Sequence, residues 1–153
     1  MKKVLVSDFS RVLLFPKDTS YAGGLNRLYD QILANKEDFN DYFKLNDILL
    51  KDIEELDIEK YIFTTGKVQN AEFIKHKLDM VFKDIFNVPM IGFKKTDKNA
   101  YLKLCEELDL KPSQVMFIDD TEENINAAKE AGLHAVVYHD NNQILNSISE
   151  WLT

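Results

Sequence analysis

The sequence predicts an α/β fold in three layers, a parallel sheet covered by helices on both faces. Three observations carry that prediction. Compact apolar runs recur at wide spacing: Val4-Leu5-Val6, Tyr61-Ile62-Phe63, Met90-Ile91, Val115–Ile118 and Ala135–Tyr138. Helical periodicity fills the intervals between them. The runs are nearly continuous in apolar character, as expected of strands buried on both faces. A chain of 153 residues is the length of one domain.

The first run closes at Ser7-Asp8. Between it and the second, Leu25, Leu28, Tyr29, Ile32 and Leu33 form one amphipathic helical face. Phe39, Tyr42, Phe43, Leu49 and Leu50 suggest another, with no strand signal between them. Residues 17–56 are therefore expected to be a small helical insertion, leaving 1–16 and 57–153 as the core. Further on, Ala100, Tyr101, Leu104, Cys105 and Leu108 share one helix face, with Thr96 or Asp97 as its cap and Pro112 beyond its end. Thr121 opens a last patterned helix, with Ile125, Ala128 and Ala131 inward and Gly132 as its stop.

Composition narrows the partners. Nineteen basic against 26 acidic residues give a net charge of −7, which disfavours a nucleic-acid or anionic-membrane surface. No apolar stretch is long enough for a membrane helix, and the first one is too short for a signal peptide, so a cytoplasmic location is expected. The single cysteine, Cys105, falls on an apolar helix face and reads as a core residue. His76, His134 and His139 share no metal-ligand spacing.

Polar residues stand where strands should stop, at Asp8, Thr64, Lys95 and Asp119-Asp120, of which only Lys95 does not directly follow a strong apolar run. In such sheets ligands bind at the carboxyl ends of the strands. Two adjacent carboxylates closing a buried strand repel each other unless positive charge lies between them, and Mg²⁺ is the usual partner of such oxygen donors. The set suits phosphoryl transfer. A carboxylate attacks phosphorus, and a metal and a lysine offset the approach of two anions.

In order, these segments resemble the four motifs of the haloacid dehalogenase (HAD) superfamily. Val4–Leu13 resembles the first motif, a strand followed by Asp-x-Asp. Tyr61–Thr64 resembles the second, Gly92–Asp97 the third, and Val115–Thr121 the fourth, whose helix continues through Glu122–Gly132. The resemblance implies a Rossmann-like core with a short cap at 17–56. It implies Asp8 as nucleophile, and Mg²⁺ held by Asp8, Asp119, Asp120 and the carbonyl of Ser10. It also implies phosphate contacts from Thr64, Thr65, Lys95 and Arg11, with Lys94 as the alternative lysine. Tyr21 and Arg27 are cap residues able to face the site, whereas Lys67 reads as a surface residue. Receiver domains share these residue types but place the acid pair after the first strand, whereas here it follows the fourth.

One position departs from the pattern. Ser10 stands where phosphatases of the superfamily carry a second Asp, the general acid/base. A serine hydroxyl does not exchange protons usefully near neutral pH. Three outcomes are open: a slow phosphatase of small phosphate esters, a module that binds a phospholigand or a protein partner, or dehalogenase-type chemistry. The acid pair argues against the last, since dehalogenases work without the metal.

Overall fold

The computed structural model describes all 153 residues. The chain runs β1 (Val4–Ser7), β2 (Leu14–Pro16), α1 (Leu25–Ala34), α2 (Phe39–Tyr42), β3 (Phe43–Leu45), α3 (Asp47–Glu54), β4 (Glu59–Thr64) and α4 (Glu72–Val81). It continues through β5 (Asp84–Asn87), α5 (Val88–Ile91), α6 (Lys98–Leu108), β6 (Val115–Asp119), α7 (Glu122–Glu130), β7 (His134–Val137) and α8 (Asn141–Leu152). The main sheet has the order β5-β4-β1-β6-β7, with every neighbouring pair parallel.

Strand side chains alternate between two cores, as the pleat requires. Leu5, Ile62, Met116 and Ile118 face one layer, with α1, α3, α4 and α8 packed on it through residues such as Leu25, Ile53, Leu78 and Ile144. Val4, Val6, Tyr61, Phe63, Val115 and Phe117 face the other, covered by α6 and α7. This is the predicted three-layer α/β architecture. No helix is long and apolar enough to cross a membrane.

Both patterned helices after the third motif form as expected. Ala100, Tyr101, Leu104 and Cys105 are buried along α6, and of the two candidate caps Asp97 serves, its carboxylate accepting from the Asn99 N–H. Gly132, at φ 95°, ends the turn after α7, a conformation glycine adopts without steric cost.

Two expectations need correction. The strand assigned to Met90-Ile91 lies earlier, at β5, and those two residues belong to the short helix α5. Asn87 caps that helix by accepting from the Met90 N–H, Pro89 sits in its first turn, and Gly92 ends it at φ 85°. β5 is an edge strand with mixed burial, so its sequence, Asp-Ile-Phe-Asn, carries no compact apolar signal. The second helix expected within 17–56 is interrupted by β3, which pairs antiparallel with β2 in the register Leu14↔Leu45, Phe15↔Lys44, Pro16↔Phe43. A smaller difference is Leu33, which is exposed although the helical period groups it with Leu25 and Ile32.

Residues 17–56 do not stand apart from the sheet. Leu25, Ile32, Phe39, Phe43, Leu45, Leu49, Leu50 and Ile53 all join the hydrophobic cluster that contains Leu5, Ile62 and Met116.

Candidate active site

Because β1 is central, its carboxyl end lies beside that of β6. The Asp8 N–H donates to the Ile118 carbonyl at 2.7 Å, which continues the pairing one residue past the strand. Asp8, Asp119 and Asp120 thereby meet, each offering an oxygen within 4.8 Å of the others. Lys95 reaches this group from the loop before α6. Its Nζ lies 2.8 Å from Asp8 Oδ1 and 2.6 Å from Asp119 Oδ2, and it is only 4% exposed. It also sits 5.5 Å from the ring centre of Phe63 and 5.4 Å from that of Phe117, within cation–π range. The Tyr101 hydroxyl donates to the Lys95 carbonyl at 2.6 Å, fixing the loop on α6. Lys94 is exposed, so Lys95 is the lysine brought to the acids.

Three carboxylates face one ammonium. Burial pushes the Asp8 carboxyl up to about 7, with Lys95 pulling it down and Asp119 and Asp120 pushing further up. Burial, then the charge of Asp119, raises Asp120 as well. For Lys95 burial favours the neutral form, but Asp8 and Asp119 outweigh it and the net direction is upward. The ammonium therefore stays charged.

The donor set fits Mg²⁺. All the ligands are hard oxygens, and their negative charge exceeds what Lys95 offsets. Asp119 is the most fully engaged. Its Oδ1 accepts from the Thr121 N–H at 2.8 Å and its Oδ2 from the Asn124 amide at 3.1 Å, in addition to Lys95. In the turn after β1, the N–H of Arg11 donates to the Leu14 carbonyl at 2.7 Å, and that of Leu14 to the Phe9 carbonyl at 3.1 Å. No backbone N–H donates to the Ser10 carbonyl, which leaves it available to a cation.

A cavity of about 290 Å³ opens over these groups, its wall including Asp8, Ser10, Lys95, Asp120, Thr65 and Asn26. Thr64 ends β4 at 1% exposure and does not line it, whereas the exposed Thr65 does. Arg11 also borders the cavity, but its guanidinium donates to the carbonyls of Tyr21 at 3.1 Å and Gly23 at 2.7 Å. This ties the turn after β1 to the loop that opens α1. Arg11 itself takes the left-handed conformation, φ 61°.

Two asparagines were not singled out by sequence, and the structure brings both to the cavity. Asn124 holds Asp119. Asn26, in α1, accepts through Oδ1 from the N–H groups of Lys67 at 2.9 Å and Val68 at 3.0 Å, clamping the loop after β4. Lys67 adds an exposed ion pair to Asp30 at 2.8 Å. A Cβ on Gly66 would fall 2.0 Å from the Asn26 amide, so this close approach requires glycine. The only sequence signal was the Gly itself, and a lone Gly after a strand does not name its partner.

The other candidates lie elsewhere. Tyr21 donates its hydroxyl to the Gly24 carbonyl, and Arg27 is exposed. Cys105 is buried, and burial pushes its thiol up to about 11. No histidine joins the acidic group.

A parallel α/β sheet thus brings three acids and a lysine together at its carboxyl edge, and comparison with known proteins specifies the class. The family model for haloacid dehalogenase-like hydrolases matches residues 16–132. The chain belongs to that family. The match covers Thr64, Lys95, Asp119 and Asp120 and begins after Asp8 and Ser10. Among curated relatives, enolase-phosphatase E1 of Aquifex aeolicus is 35% identical over 95 residues, covering 57% of this chain and 40% of that protein. The same enzyme of Hydrogenobaculum is 30% identical over 95 residues, 59% and 42% respectively. The chain thus spans about two fifths of these relatives. Among solved structures, a HAD-superfamily hydrolase from Ehrlichia chaffeensis superposes with a TM-score of 0.67 at 19% identity, covering 100% of both chains. A HAD family enzyme from Bacteroides thetaiotaomicron, in complex with magnesium and inorganic phosphate, gives 0.63 at 15% identity over 91% of this chain and 95% of that one. These structures share the fold.

Proposed function

We propose that the protein is a slow, Mg²⁺-dependent phosphatase that hydrolyses phosphate monoesters through an aspartyl-phosphate on Asp8. The observation that supports this best is Lys95, buried and bonded to both Asp8 and Asp119 beside the third acid. The phosphatase activity named for the E1 relatives, and the magnesium and phosphate bound to the Bacteroides enzyme, agree with it.

Asp8 Oδ2 accepts no hydrogen bond from protein, whereas Oδ1 is held by Lys95. Oδ2 of the ionised carboxylate attacks phosphorus, the new O–P bond forms as the ester O–P bond breaks, and the alcohol leaves with a proton from water, leaving hydroxide. A second water then cleaves the aspartyl-phosphate, releasing hydrogen phosphate and restoring Asp8, and the proton it gives up neutralises that hydroxide. Bound Mg²⁺ would supply the positive charge that lets two anions meet. Asp8, Asp120 and the Ser10 carbonyl would hold it, with Asp119 completing the acidic set and aiming Lys95. Thr65 and Lys95 would bind phosphate oxygens, with Thr64 supporting the loop from behind. In chain order residues 17–56 occupy the place of a cap, against a core of 1–16 and 57–153.

A specific observation also favours a second reading, a module that binds a phospholigand without turnover. Among the residues lining the cavity, Asp8 and Asp120 are the only acids and none is histidine, so nothing there replaces the acid that Ser10 lacks. Hydrolysis of p-nitrophenyl phosphate separates the two. Its good leaving group needs little protonation. Turnover that requires Mg²⁺ and disappears in Asp8→Asn supports the phosphatase. Identical traces for wild type and Asp8→Asn would leave the binding module.

A further inference from the structure

A second cavity, of about 660 Å³, opens between the antiparallel β2–β3 pair, the start of α3 and the carboxyl end of β7. Its wall includes Phe15, Lys17, Lys44, Ile48, Tyr138 and Arg11. Arg11 also borders the cavity over Asp8, so the two spaces share a wall.

The lining is unusual for a chain with net charge −7. Neither Lys17 nor Lys44 pairs with a carboxylate, and the one acid in the wall, Asp47, is bound to Lys77 at 3.2 Å. Phe15 and Lys44 are cross-strand partners, so their side chains stand on one face of the β2–β3 pair. The ring of Phe15 lies 6.2 Å from that of Tyr138, inclined at 44°. At the rim Ile48 is 71% exposed.

The polar part of the wall is already satisfied and fixed. Tyr138 Oη donates to Asn141 Oδ1 at 2.7 Å, the Asn141 amide to Asn46 Oδ1 at 3.0 Å, and the Asn46 amide to the Val12 carbonyl at 3.0 Å. What remains for a ligand is an apolar surface with two unpaired lysines in the same wall. A preformed wall of this kind lowers the ordering cost of binding.

We propose that this cavity holds the organic part of the substrate, a flat or aromatic group bearing a second anion. The anion pairs with Lys17 and Lys44, and the phosphate sits over Asp8. The assignment rests on the phosphatase reading for its orientation but is tested without turnover. The probes are phenylphosphonate and biphenyl-4-phosphonate, each with and without a carboxylate at the far ring position, titrated calorimetrically in Mg²⁺. Wild type is compared with the double variant Lys17→Ala/Lys44→Ala and with Asp8→Asn.

At least one carboxylated probe is expected to bind about tenfold more tightly than its parent. That advantage should vanish in the double-lysine variant, whereas Asp8→Asn should weaken parent and carboxylated probes alike. Carboxylated probes no tighter than their parents, or an advantage that survives loss of both lysines, would overturn the assignment. Preference without p-nitrophenyl phosphate hydrolysis would sink the phosphatase and keep the cavity. Hydrolysis without preference would do the reverse.

Discussion

Asp8 sits among groups that disagree about its charge. Burial and two neighbouring acids push its pKa up to about 7 while Lys95 opposes them. The folded state then holds a proton that the unfolded state has released above the ordinary Asp value, so without metal this group costs stability as pH rises from about 4 to about 7. A divalent cation binds the ionised form. Melting curves should therefore show a larger Mg²⁺-induced rise in Tm at about pH 8 than at about pH 5.5, and Asp8→Asn should flatten the difference. Equal Mg²⁺ effects at both pH values in wild type would contradict this account. Ser10 carries the other prediction at this scale. Ser10→Asp should raise turnover of esters with poor leaving groups by ~10²–10⁴-fold, the usual worth of a general acid. A folded, Mg²⁺-binding variant with unchanged activity would show that the missing acid is not the defect. Asp8 and the acid pair were legible in the sequence because each follows an apolar run, and Lys95 because it stands just before the cap of a patterned helix. Asn26 and Asn124 were not, because nothing local marks an asparagine whose partner lies in another element.

At the scale of elements, α1 does more than cover the sheet. Through Asn26 it fixes two N–H groups of the loop after β4, and Lys67–Asp30 adds an exposed pair that contributes little by itself. Asn26→Ala should lower stability by about 0.5–1.5 kcal/mol, since two donors lose their acceptor and one of them is open to water. It should also raise KM for phosphate esters more than it lowers kcat, as the loop bearing Thr65 loosens. Unchanged kinetics would mean that the clamp does not reach the substrate. The same contacts explain what sequence could and could not give. The helices α6 and α7 were readable from their own period and stops. β3 was not, because three residues become a strand only by pairing with β2, and the edge strand β5 lacks the continuous apolar run that marks its neighbours.

For the whole molecule, the packing of residues 17–56 onto the sheet has a thermodynamic consequence. Eight buried side chains from residues 17–56 belong to the cluster on one face of the sheet. Each is worth roughly 1.5–3 kcal/mol when fully buried, so together they rival or exceed the ~5–15 kcal/mol net stability of a typical domain. Replacing 17–56 by a short flexible linker should abolish cooperative unfolding, as seen by calorimetry and near-ultraviolet circular dichroism. A truncated protein that still melts in one sharp transition would show that the segment is separable.

The position of β1 bears on how the molecule fails. It is hydrogen-bonded along both sides, to β4 and to β6, and Asp8 continues from its last residue. Segments enclosed in this way open to solvent only with the entire molecule, so their amide hydrogens exchange last. The acidic centre is thus tied to backbone expected to exchange among the slowest in the protein, while the loop after β4 and the β2–β3 pair, held by fewer contacts, should open before it. Warming should erode ligand recognition at the periphery first, and the geometry around Asp8 should persist until the chain as a whole gives way.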